Sequence, residues 1–261
     1  MKKEKEKEIQ TIEVLQLTRG TVGIHIVGQT PLIMNRMTET ALQEFLLPAR
    51  KKNRAEKETT LKHDPMSEFR NSAYRLPGNG PTGVMLPGIA FKSAMRAVTA
   101  DMPGATKAAV GRLTFVKQES IPIYGIPQIL GTNVRQGGMA RTPDIRFRAI
   151  FPQWAGSFDV TFQKPLLNEN VVASLLAAAG EIVGVGDWRP EKGSGNYGQF
   201  RLVDQKEYNA VIKQIGARKE QLKAFEAPIC YDERTEKLLE WFENEAGSRG
   251  LLRRINGESR V

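Results

Sequence analysis

Between Gly184 and Gly198 the chain reads GVGDWRPEKGSGNYG, in which Gly184, Gly186, Gly193, Gly195 and Gly198 alternate with Trp188, Arg189, Lys192 and Tyr197. Glycine permits positive φ and lets backbone amides approach a phosphate closely, while an aromatic ring offers a stacking surface for a base. Together with two cations, these are tools for holding nucleic acid. No Gly-Lys-Ser/Thr precedes a helix here, so the segment is not a Walker-type phosphate loop. The competing reading is a glycine-rich turn packed under Trp188. Two further cationic pairs have a spacing that aligns them. Lys92 and Arg96 are one helical turn apart, and Arg146 and Arg148 are two apart in an alternating stretch, so each pair shares a face. An acid–base function would need a group titrating near neutrality, and His25 is the candidate for cleaving RNA through its 2′-hydroxyl, set against the ordinary structural role of an isolated histidine.

The charge distribution points the same way. Of a net charge of +9, residues 1–20 carry five Lys/Arg against four Asp/Glu, residues 21–203 carry 22 against 14, and residues 204–261 carry 11 against 11. The cationic excess therefore belongs to the middle of the chain, which suits a polyanion whose condensed counterions are released on contact. Cys230 is the only cysteine, and His25 and His63 are the only histidines, so neither a disulfide nor a cysteine- or histidine-based zinc cage can form within the chain. Neither a metal nor an organic cofactor is expected. The sequence lacks a long apolar run and begins with alternating Lys and Glu, so no membrane association and a cytoplasmic location are expected.

The elements that would position these residues can be read from period and punctuation. Gly23–Thr30 reads as a strand with Ile24 and Ile26 on one face. Residues 37–49 have helical spacing through Met37, Leu42, Phe45 and Leu46, and residues 50–75 read as a polar insertion. A helix should begin at Pro87–Gly88, with Phe91, Ala94, Met95 and Val98 as its apolar stripe. Residues 109–117 and 121–134 read as extended, and residues 145–151 alternate, with Ile145, Phe147, Ala149 and Phe151 opposite Arg146 and Arg148. Phe158, Val160 and Phe162 repeat that pattern. Asn168 caps a helix that Gly184 should stop, Gln199–Val203 closes the series as a strand, and the remainder is expected to be helical. The order predicts an α+β fold: a ferredoxin-like, RRM-like split βαββαβ core with inserted loops and one sheet face free.

Two segments resemble a known family. Leu86-Pro-Gly-Ile-Ala-Phe-Lys-Ser-Ala-Met-Arg96 is similar to the proline-glycine helix start of the RAMP superfamily of CRISPR effector proteins, and GVGDWRPEKGSGNYGQF at 184–200 is similar to its glycine-rich loop. The resemblance covers roughly residues 21–203, between a charged tail (1–20) and a charged, helical extension (204–261). It implies a backbone-type subunit that grips single-stranded guide RNA without reading its sequence. It also implies a homo-oligomeric filament along the strand and contacts with other effector subunits. By position, Lys92 and Arg96 would meet phosphates, Arg146 and Arg148 would line the open sheet face, and residues 118–142 would form a thumb-like hairpin offering Arg135, Met139 and Arg141. Some members of the superfamily cleave RNA with a histidine or with an aspartate after the first strand, which makes His25 and Asp64 the candidates here. The residues leave other readings open. These are a RAMP-type endoribonuclease, a phage-type protein that coats or anneals single-stranded DNA, and an interaction module whose charge serves solubility.

Overall fold

The computed structural model describes residues 14–47, 61–135, 142–192 and 195–251. Strand β1 (Thr18–Gly28) is the centre of the main sheet. It pairs antiparallel with β8 (Ala155–Lys164) on one side and with β9 (Phe200–Val203) on the other. The far edge of β8 is taken by two short strands, β4 (Thr114–Val116) and β5 (Ser120–Tyr124), and β3 (Met85–Pro87) extends the sheet beyond β5. With β4 and β5 counted as one interrupted strand, the sheet runs second, third, first, fourth. That is the order of a ferredoxin-like split βαβ fold.

Helices α3 (Gly88–Ala97) and α5 (Glu169–Ala178) cover one face of this sheet. Phe91 of α3 meets Phe158 of β8 and Phe200 of β9 at ring separations of 4.5 and 5.7 Å, and Ile24, Ile26, Met95, Leu175 and Leu176 complete the buried core. Asn168 caps α5 by accepting from the Val171 N–H, and the helix continues as a π turn to Gly184, whose φ of 70° ends it. Stop and start are where the sequence puts them.

The opposite face of the sheet is not free. Helix α6 (Gln205–Gln214) lies on it, and Tyr208 and Ile215 pack with Ala155, Val27 and Val203. Helix α7 (Arg218–Glu226) follows and buries Phe225 in the main core, while helix α8 (Glu233–Ser248) packs over Gly131, whose N–H donates to Thr235 Oγ1 at 3.0 Å. The fully buried Gln221 fastens α7 to the core. Its amide donates to the Ile123 and Gly125 carbonyls at 2.8 and 2.9 Å, and its oxygen accepts from the Gly83 N–H at 2.7 Å.

A second sheet stands beside the first. Strands β6 (Gln128–Arg135) and β7 (Pro143–Phe151) form a hairpin, and the two-residue β2 (Leu32–Ile33) pairs with the end of β7. Beyond β2, α2 (Pro65–Ser72) covers the rest of β7's free edge. Glu68 accepts from the Phe147 N–H at 3.0 Å and Ser72 Oγ from the Ala149 N–H at 2.8 Å, so side chains take the place of a neighbouring strand.

Several sequence-based expectations change here. Residues 109–113 belong to helix α4 (Lys107–Leu113), capped by Thr106, and are not extended. The polar stretch 50–75 holds α2, which buries Phe69 completely. The segment 118–142 divides between the two sheets: β5 joins the main sheet, while β6 projects with β7. Residues 136–141, which include Met139 and Arg141, lie outside the described residues. The stripe on α1 (Glu39–Leu46) faces outward, with Phe45 and Leu46 exposed rather than buried.

Candidate nucleic-acid interface

Arg146 and Arg148 project from β7 of the hairpin sheet, not from the main sheet, whose second face α6 occupies. They line a cleft of about 440 Å³ bounded by β7, the end of β6 and the segment Asn35–Ala41. Arg135 joins them from β6, and Arg36 from the segment opposite. A smaller cleft of about 290 Å³ adjoins it and shares Asn35; Ile89 of α3, Gly186, Asp187 and Arg189 line its wall. An ion pair between Arg148 and Asp187 links the two clefts. The hairpin, the start of α3 and the glycine loop thus meet along one strip.

Arg36, Arg146 and Arg148 are each held by a carboxylate. Arg146 lies 3.4 Å from Glu68 and 3.3 Å from Asp144, and Arg36 pairs with Glu39. Arg148 is largely buried, which pushes its guanidinium below the ordinary range, and Asp187 opposes that shift. A guanidinium has five N–H donors, so a carboxylate that orients it leaves donors for a phosphate. Behind Arg146, His63 bridges two elements, with Nδ1 2.6 Å from Glu68 and Nε2 2.9 Å from Asp144. The imidazole can donate to both carboxylates only when both nitrogens carry protons.

The glycine loop is built for its own folding. A Cβ at Gly198 would sit 1.7 Å from the Val185 carbonyl oxygen, and one at Gly195 would sit 1.6 Å from that of Trp188, so the backbone strands of the loop touch where a side chain cannot fit. Gly186 and Gly198 both have positive φ. The Val185, Asp187, Tyr197 and Gly198 amides donate to the Gly198, Ile33, Trp188 and Pro31 carbonyls, so these four are spent within the protein. Gly193 lies outside the described residues. Arg189 braces the turn by donating to the Gly186 carbonyl and to Glu191, while Lys192 is exposed. What the loop offers outward is Trp188, 38% exposed in a left-handed conformation with φ 51°, while Tyr197, its ring centroid 6.3 Å away, packs against Ile33, Leu130 and Ile150.

Other candidates are placed elsewhere. The Lys92 ammonium sits 4.5 Å over the Phe115 ring on β4, and Arg96 packs so closely on α4 that a Cβ at Gly111 would lie 2.9 Å from its Nε. Neither lines the clefts. His25 accepts or donates a 2.8 Å hydrogen bond with Ser157 and stacks on Tyr208 beneath α6. Asp64 caps α2 by accepting from the Ser67 N–H at 3.1 Å. Arg36 escaped the sequence reading because a lone arginine in a loop has no period. Glu68 and His63 escaped it with α2, although the pair Asp64–Pro65 is a helix-start signal.

No protein-family model and no curated protein matches the sequence. Among solved structures, the chain is similar to the crystal structure of Cmr6 from Pyrococcus furiosus, at 10% identity and a TM-score of 0.36, over 71% of this chain and 98% of that one. It is also similar to a chain in the cryo-EM structure of the Type III-B Cmr-beta bound to cognate target RNA, at 13% identity and a TM-score of 0.39, over 71% of this chain and 59% of that one. Among the described residues, no helix is long and apolar enough to cross a membrane, and no cluster of His, Cys, Asp or Glu could hold a metal ion.

Proposed function

We propose that this chain is a RAMP-type subunit that binds single-stranded RNA without reading its sequence, as one member of a ribonucleoprotein assembly. The observation that carries the proposal is the convergence of Arg36, Arg135, Arg146 and Arg148 on one open cleft between the hairpin sheet and the segment Asn35–Ala41. Side chains drawn from separate stretches of sequence meet there, and planar guanidiniums bind phosphate in two-point fashion. Trp188, partly exposed one residue from Asp187 in the glycine loop, supplies a ring on which bases would stack without discrimination. Guide RNA as the ligand, and self-association along it, are what the resemblance of segments 86–96 and 184–200 to RAMP proteins implies. His25 and Asp64 have structural roles, which weighs against cleavage by either.

The test is binding of labelled oligoribonucleotides by the full chain across a salt series. Affinity should fall log-linearly with salt, by a slope of roughly 0.7 per phosphate contacted, and matched RNA should displace DNA. Salt-insensitive binding, or none, would remove the proposal. Preferential capture of DNA would favour the strand-coating reading instead.

A further inference from the structure

Phe147 lines the arginine cleft and also a second cavity, of about 470 Å³, on the far side of the Glu68–His63–Asp144 cluster. This cavity opens between the start of β7 and helix α8, and its walls are Ile145, Phe147, Leu238, Trp241 and Phe242. Its size falls within the range of about 300–1,000 Å³ usual for small-molecule sites. Trp241 is 63% exposed, an unusual state for the largest apolar side chain on a helix that otherwise presents charges to solvent. Two cations stand at the mouth: Lys62, 72% exposed beside Asp144, and Arg249, 65% exposed beside Glu245.

We infer that this cavity receives a base of the strand whose phosphates lie in the arginine cleft, an inference that rests on the function proposed above. The argument is one of contiguity and chemistry. Phe147 lines both spaces, and the ionic cluster of Glu68, His63, Asp144 and Arg146 lies beside it, so a strand passing over Arg146 comes within reach of both. Aromatic walls give a base a stacking surface that tolerates any sequence, and Lys62 and Arg249, each oriented by one carboxylate, keep further N–H donors for the phosphates on either side of it. A strand held in this way would have its backbone fixed on one side of the cluster and a base on the other. That base would be lifted out of its stack. The helical extension after residue 203 would then be part of the binding surface, because Trp241 and Phe242 belong to it.

The experiment compares a labelled oligoadenylate with its abasic counterpart, using the full chain, Trp241→Ala and Trp241→Phe. Trp241→Ala should weaken binding of the base-bearing strand about tenfold and leave the abasic strand within about twofold of the wild-type protein. Trp241→Phe should restore most of the loss, which a folding defect would not allow. If Trp241→Ala binds both strands like the wild type while substitution of Arg146 and Arg148 still weakens them, the base pocket is wrong and the arginine cleft stands. If Trp241→Ala leaves strand affinity intact but lowers the protein's apparent mass in solution, the cavity is a contact between copies of the chain. If the wild-type protein binds neither strand, both readings fall.

Discussion

Two cationic pairs of similar promise end in different surroundings. Lys92 and Arg96 share a face of α3, and that face is turned toward Phe115 and Gly111, where the two side chains serve as packing material. Arg146 and Arg148 share a face of β7, and carboxylates hold them at the wall of a cleft. The difference lies in what stands opposite. A helix laid on a sheet has flanks, and neighbouring elements fill them, so a charge there is often a snorkelling stem. At β7 the elements opposite leave a cleft, and carboxylates from α2 and the glycine loop line up beside the two guanidiniums instead of apolar side chains filling the space. Spacing reveals that two charges are neighbours, but only the tertiary arrangement decides whether they meet solvent or protein.

The contrast can be tested by substitution. Replacing Arg135, Arg146 and Arg148 together with methionine should weaken RNA binding about 30- to 100-fold at moderate salt and reduce the salt slope by about 2, as measured by anisotropy titration. Loss without a change in slope would mean that the cleft acts through shape and not charge. Asp64→Ala removes the α2 cap and should cost about 1 kcal/mol in a denaturant titration, with any RNA cleavage by the preparation unchanged. Abolished cleavage would restore Asp64 as a catalytic residue. The smallest effect is expected for Lys92→Met with Arg96→Met, which keeps the apolar stems: binding should stay within about twofold of the wild-type protein. A loss as large as that of the arginine triple would erase the distinction between the two faces.

The parts of the fold legible in the sequence were those in which local signals agree. Asn168, the apolar stripe after it and Gly184 specify α5 without help from the rest of the molecule. Residues 145–151 display their alternation plainly, yet alternation assigns faces and leaves the partner strand open, so β7 could be read as a strand without its sheet being known. Val110 and Leu113, followed by Thr114–Val116, suggest a single extended run. The Thr106 cap and the long-range fit of α4 against Arg96 turn the first half of it into helix. At the site, the cations of β7 could be seen in advance. Arg36 and the Glu68–His63–Asp144 cluster could not, because their significance comes from long-range meeting: Asp144 is 81 residues from His63.

Gln221 carries a consequence of its own. One amide, wholly enclosed, answers three backbone groups from two separate stretches of the first half of the chain. Cutting the polypeptide after Val203 would remove the partner of those groups, and it would bare the sheet face on which Tyr208 covers His25 and Val27. The split βαβ core therefore depends on the helices after Val203, which behave as a lining sewn into the garment, and a shortened version should be sought by trimming loops rather than by removing those helices.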